Sequence, residues 1–244
     1  MKLTVLGSGD AFCSGGALHS CNLLEHPGGS LLLECGPGVL AGMKRLAIPT
    51  DAPDAVLVSH LHGDHYGGIP FLFLEYLFAN RRTRPLVLAG PPGLLERSRA
   101  LYAQLYRELQ QHEMPFEIQV VELQPGDCTT VAGFRVEAFR VPHNAEPFCL
   151  GYRLEAGGRA MLFSGDSGWT EEFVERSRGT DLFLCECCTL EPELPMHTSY
   201  AELLANRDRL GCRRLLLTHL GEDVRAAQQL GIDRASDGLV VNLD

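Results

Sequence analysis

The amino-acid sequence predicts an α/β protein in which helices cover sheets. Three observations carry that prediction. Short apolar, β-branched runs recur along the chain, each closed by Gly, Pro, Asp or His. Segments of helical periodicity lie between them. No linker and no internal repeat of roughly 20–50 residues interrupts the sequence. One domain spanning residues 1–244, built of two similar halves, is therefore expected.

The elements follow in order. LTVL (residues 3–6) is closed by the glycine-rich GSGDAF, and residues 22–25 and 30–34 (SLLLE, closed by CGPG) supply the next two strands. Residues 38–47 carry a helical pattern. AVLVS (55–59) runs into HLHGDH, after which a short apolar helix is expected over 71–79 and a strand over 86–89. The strongest helical signal is PGLLERSRALYAQLYRELQQH, where Leu94, Leu95, Leu101, Leu105 and Leu109 fall at spacings that fit one face. In the second half, strands are expected over 117–123, 134–141, 150–155, 160–164, 182–186, 214–218 and 239–242. Helices are expected there over 171–177, 200–210 and 223–230.

Composition narrows the class. The chain is 45% hydrophobic and 21% charged, as ordinary globular proteins are. No apolar run approaches the roughly 18–20 residues of a membrane span, and MKLTVLGSGDAF lacks the apolar core of a signal peptide. A cytoplasmic location is expected. The net charge of −10 weighs against a long nucleic acid, because polyanion binders present basic fields. The one basic stretch, ANRRTR (residues 79–84), reads as a solvated turn or helix end. Nine cysteines, with Cys185, Cys187 and Cys188 the closest cluster and no second pair elsewhere, read as reduced thiols, those three buried around a strand.

Chemistry concentrates in AVLVSHLHGDHYGG. Residues two apart in a strand share a face, so His60 and His62 are expected to point to one side as that strand ends. Gly63 permits a change of direction, which turns Asp64 and His65 toward a neighbouring point. Imidazole and carboxylate together suit zinc, manganese or iron. Burying these four groups without a ligand would be costly. Three further strand ends offer His143 in FRVPHNAEP, Asp166 in AMLFSGDSGW and His219 in RRLLLTHLG. Strand ends are where α/β active sites collect.

HLHGDH followed by isolated His143, Asp166 and His219 resembles the metallo-β-lactamase-fold hydrolase superfamily, over nearly the whole chain. The resemblance implies a four-layered αβ/βα sandwich with its site in the cleft along one edge of the facing sheets. It implies that His60, His62 and His143 hold one divalent metal ion. Asp64, His65 and His219 would hold a second, and Asp166 would bridge both. Zinc is the first expectation for the two ions, manganese or iron the alternatives. Aspartate at the bridging position is similar to the hydrolase and phosphodiesterase branches, whereas the zinc β-lactamases commonly carry cysteine there.

The stretch LCECCTLEPELPMHTSY places Glu186 at a strand end and His197 before a helix. This is similar to the tRNase Z and related phosphodiesterase pattern, in which the glutamate orients a catalytic histidine. CECC departs from that pattern, which usually shows histidine before the glutamate and Ala-Thr after it. Glu186 is expected to fix the tautomer of His197 and raise its pKa, making it a proton donor. The bland alternative is that His197 only precedes a helix capped by Thr198 or Ser199.

The tRNase Z family grips tRNA with a long arm, and the region leading to the bridging aspartate shows no such excursion. A small phosphodiester or cyclic nucleotide is therefore the expected substrate. A metal-bridging hydroxide would attack phosphorus, Asp64 would help orient it, and His197 would protonate the leaving oxygen. The alternatives are a hydrolase of thioesters, lactones or sulfate esters, a tRNase Z-like nuclease, and a metal-binding protein without turnover. Loop residues 7–16 (GSGDAFCSGG) would line the cleft mouth or form a plain turn. A homodimer is expected from the apolar surface of the helices around Phe71–Phe78 and Leu94–Leu109.

Overall fold

The computed structural model describes residues 1–109, 112–143 and 148–243. Its first six strands are β1 (Lys2–Gly7), β2 (Cys21–His26), β3 (Gly29–Leu33), β4 (Ala55–Leu57), β5 (Leu86–Gly90) and β6 (Ile118–Glu122). The next four are β7 (Cys128–Val131), β8 (Phe134–Val141), β9 (Cys149–Ala156) and β10 (Arg159–Phe163). The last are β11 (Leu182–Glu186), β12 (Leu215–Thr218), β13 (Asp233–Arg234) and β14 (Val240–Asn242). They form two seven-stranded sheets, ordered β14-β1-β2-β3-β4-β5-β6 and β13-β12-β11-β10-β9-β8-β7.

Side-chain alternation sorts the apolar residues into three layers of core. Leu3, Val5, Leu31, Leu33 and Leu57 of the first sheet pack against Phe134, Val136, Met161, Phe163 and Leu184 of the second. The intervening residues point outward. Leu32, Val56 and Leu88 meet α1 (Val39–Arg45), α3 (Ile69–Leu74) and α4 (Leu94–Leu105). A single turn, α2 (Gly63–Tyr66), precedes α3. On the other side Leu162, Phe183, Cys185 and Leu217 meet Phe173, Leu203 and Val224. Those three lie on α5 (Glu172–Arg176), α6 (Tyr200–Asn206) and α7 (Glu222–Ala226). The result is the expected αβ/βα sandwich. Both faces of each central strand are buried, so those strands read as continuous apolar runs.

Several elements differ from expectation. The 117–123 run and the last strand belong to the first sheet, where β6 pairs β5 in parallel and β14 pairs β1 antiparallel. The strand expected over 55–59 ends at Leu57, so His60 and His62 lie beyond it rather than on one strand face. β7 and β13 were not expected, because CTTV is half polar and β13 has only two residues. The buried face of α4 is Leu94, Ser98 and Tyr102, at i, i+4, i+8 spacing; of the other leucines expected on that face Leu95 is partly buried and Leu105 is 47% exposed. Residues 110 and 111 of its predicted pattern lie outside the described residues.

The basic stretch locks a turn. Arg82 is buried, donates to the carbonyls of Arg84, Asp51, Pro53 and Pro85, and stacks 5.1 Å above the Tyr76 ring. Arg84 pairs with Asp54. No helix among the described residues is long and apolar enough to cross a membrane.

Candidate metal centre

The polar groups gather where the two sheets present their strand ends. Glu34 follows β3, the His60–His65 segment follows β4, and His143, Asp166 and His219 follow β8, β10 and β12. Glu186 ends β11. All seven candidate ligands converge. His65 Nε2 lies 3.1 Å from Asp64 Oδ2 and 3.3 Å from Asp166 Oδ2. His219 Nε2 lies 3.3 Å and 3.4 Å from the same two oxygens. His60 Nε2 and His143 Nε2 approach Asp166 Oδ2 at 3.9 Å and 4.0 Å. One carboxylate oxygen thus faces both histidine groups, the place a bridging ligand would occupy.

The outer hydrogen bonds set which nitrogen faces inward. His143 Nδ1 donates to the Met196 carbonyl at 2.9 Å, leaving Nε2 without a proton and 3.2 Å from His62 Nδ1. His60 Nδ1 meets Ser59 Oγ at 2.9 Å, and its buried Nε2 has no hydrogen-bond partner. Such orphaned buried nitrogens are costly unless a cation satisfies them. Ligand atoms around a cation with bonds of about 2 Å stand roughly 3.4 Å apart. The spacings of Asp64, His65, Asp166 and His219, all within 4.8 Å of one another, fit that requirement.

Charge in the cluster is balanced internally. Burial would lower His65 and His219, but Asp166 and Asp64 outweigh it, holding His65 well above its ordinary value and His219 at about 9. Burial would raise Asp64 and Asp166, but His65 and His219 keep both well below the carboxylate range. His60, His62 and His143 are lowered, chiefly by burial and then by neighbouring histidines or, for His143, against the pull of Asp166. Neutral imidazoles are the form that binds metal.

Glu186 and His197 meet as expected, with His197 Nδ1 3.0 Å from Oε2 and 3.2 Å from Oε1. The His197 ring stacks parallel to His219 at 5.9 Å and edges onto His143 at 4.8 Å. The expected rise in its pKa is not found: burial lowers His197, while burial and then Asp166 push Glu186 well above the carboxylate range. Helix α6 is capped by Ser199, whose side chain and Glu202 form a reciprocal capping box. The cap is thus one of the two residues that the bland alternative expects.

Sequence reasoning missed Glu34 as a site residue. Fully buried, it accepts from Ser59 N at 3.1 Å, and its Oε2 lies 3.5 Å from His65 Nδ1. It adopts φ 67°, as His219 adopts φ 51°, a left-handed conformation that costs a non-glycine residue energy. The available signal was a charged residue closing SLLL. The loop of residues 7–16 is held by Asp10, whose carboxylate accepts from Phe12 N, Ser14 N and Ser14 Oγ. His19, 3.3 Å from Cys13 Sγ, packs beside Gly36, where any Cβ would strike His19 and the Asp64 carbonyl. That loop borders the centre.

A sandwich of two sheets between helices, with a histidine–aspartate cluster at one edge, defines a metallohydrolase architecture. The family model described as a β-lactamase superfamily domain matches residues 30–220, and the chain belongs to that superfamily, in its metallo-β-lactamase fold. It is 26% identical to a ribonuclease Z of Methanosarcina acetivorans, across 90% of this chain and 87% of that protein. An uncharacterized Mycobacterium tuberculosis protein, Rv1339, is 30% identical across 90% of this chain and 81% of its own. The crystal structure of human tRNase Z, short form, superposes with a TM-score of 0.80 over all of both chains at 22% identity.

Proposed function

We propose that this protein is a two-metal phosphodiesterase acting on a small phosphodiester or cyclic nucleotide. The observation that carries the reading is the Glu186–His197 pair, seated against the ring of His219 beside Asp166. His60, His62 and His143 would hold one divalent ion, Asp64, His65 and His219 the other, and Asp166 would bridge. Bound there, zinc (or manganese or iron) would supply Lewis acidity and a hydroxide at neutral pH. Asp64 would fix the orientation of the attacking oxygen as well as bind metal.

His197 turns Nδ1 to Glu186 and leaves Nε2 for the leaving oxygen. The raised Glu186 and lowered His197 hold a proton as a unit. Whichever member carries it, the proton leaves through His197 Nε2 as the P–O bond breaks.

RNA is the second reading, favoured by the ribonuclease Z relative; the acidic net charge alone does not exclude it. Against it, β7–β8 and β9–β10 are joined by two-residue turns at Ala132–Gly133 and Gly157–Gly158, all four residues at positive φ. An arm has no place at either turn. Other esters on the same centre are the remaining alternative.

The test is hydrolysis of bis(p-nitrophenyl) phosphate, cyclic nucleotides and pre-tRNA by zinc- or manganese-reconstituted protein. Turnover of the small diesters with none of pre-tRNA supports the proposal. Turnover of pre-tRNA alone, or of none with two metals bound, overturns it. A homodimer through the exposed Phe78 and Leu105 is also proposed, and native mass spectrometry showing only monomer at micromolar concentration would remove it.

A further inference from the structure

We infer that Cys188, His197 and His219 form a separate site for a thiophilic divalent cation of the zinc or cadmium type, whose binding switches the enzyme off. One ligand atom from each of the three lies within 4.8 Å of the other two. The cysteine is not adrift at this position. Its N–H donates to the Thr198 carbonyl at 3.1 Å, beside His197, and its own carbonyl abuts Gly221, just past His219, where any Cβ would strike it at 2.0 Å. The backbone thus pins the thiol between the two segments that carry the histidines.

Both histidines keep a nitrogen in reserve. His219 turns Nε2 to Asp64 and Asp166, and its buried Nδ1 has no hydrogen-bond partner, the Glu186 Oε2 oxygen lying 3.9 Å away. His197 commits Nδ1 to Glu186 and keeps Nε2. A sulfur with two imidazole nitrogens is a donor set for zinc, cadmium or cobalt rather than magnesium or calcium. The seven candidate ligands of the main centre offer only nitrogen and oxygen, so sulfur ligation distinguishes the two places. Binding would displace the thiol proton of Cys188, the proton that His219 holds on Nδ1 when its Nε2 serves the main centre, and the proton on His197 Nε2, so up to three H⁺ would be released with the metal thiolate.

The effect on activity rests on the role proposed for His197; the site itself does not. A cation on His197 Nε2 occupies the atom that would otherwise hand a proton to the leaving oxygen. Inhibition by excess zinc is therefore expected at concentrations above those that fill the main centre.

The experiment is a titration of the metal-free protein with Co²⁺, followed by near-ultraviolet thiolate-to-cobalt charge transfer and by metal analysis. The band should appear only after two equivalents are bound, vanish in Cys188→Ser and Cys188→Ala, and persist in Cys149→Ser. Cys149 is the control because it lies near His60 and His143. Zinc inhibition should ease by about tenfold or more in the Cys188 variants, the scale on which one lost metal contact acts. No thiolate band in the wild-type protein at excess Co²⁺, or a band that survives both Cys188 substitutions, overturns the site. Absence of the band from the wild-type protein overturns the site even if neither variant folds. Absent diester hydrolysis would defeat the proposed activity while leaving the cobalt result intact.

Discussion

His143 Nε2 stands 3.2 Å from His62 Nδ1, across 81 residues and from the opposite sheet. Because His143 Nδ1 gives its proton to the Met196 carbonyl, the nitrogen facing His62 carries a lone pair. Two imidazoles so placed share a proton or a cation, and Asp166 Oδ2 at 4.0 Å completes a cation's surroundings. The relationship gives the centre several measurable properties.

Asp166 is the contact common to both groups. Asp166→Ala should bind fewer than two metal ions per chain by inductively coupled plasma analysis and abolish turnover. Full occupancy in that variant would show that the oxygen does not bridge.

Glu34 acts through His65. Glu34→Ala should weaken metal affinity by about 10–100-fold, the usual effect of an outer partner, as read by chelator competition. Glu34→Gln, which keeps an acceptor for His65 Nδ1, should recover part of it.

His197→Ala should lower kcat by on the order of 10²-fold or more while the two ions of the main centre are retained. Loss of either of those two ions from this variant would instead assign His197 to the main centre.

Loading should depend on pH with a definite sign. In the metal-free protein His65 lies above its ordinary value and His219 at about 9, so both are protonated at neutrality. Metal binding must displace those protons, so affinity should rise with pH up to about 9, with proton release measurable by calorimetry in buffers of different ionisation enthalpy. The same raised pKa stabilises the metal-free fold. That contribution is complete below about 6.5, the unfolded value, and is lost as pH climbs through about 9. Urea midpoints in chelator should fall across that interval.

Arg82→Ala should destabilise the fold by at least about 2 kcal/mol, since several buried carbonyls lose a charged donor. Its effect on kcat should be small, because Arg82 locks a turn behind α3. A large loss of substrate affinity with normal stability would restore the basic stretch as a binding surface.

Most strands and the ligand positions were legible in the sequence because each depends on local pattern. Apolar runs such as LLL at 31–33 are buried on both faces, and the sheets they belong to must be covered by helices. HLHGDH carries four metal-binding side chains on one short segment, and an imidazole or carboxylate after an apolar run marks a strand end wherever it falls. What local pattern determined was therefore the α/β class and seven candidate donors, while the αβ/βα layering was implied by the family resemblance.

Tertiary structure decided the rest. Sheet membership of β6 and β14 depends on long-range pairing that no local window contains. His60 and His62 face one point although the strand stops at Leu57, because the loop beyond it is folded against the second sheet. The left-handed backbone at Glu34 and His219 turns their side chains into the centre, a conformation that glutamate in particular does not advertise. Cys188 reads as one more buried thiol until the fold sets His197 and His219 beside it. Composition and periodicity encode which surfaces must be buried; which donors meet depends on contacts between segments far apart in the chain, and only the folded geometry specifies those.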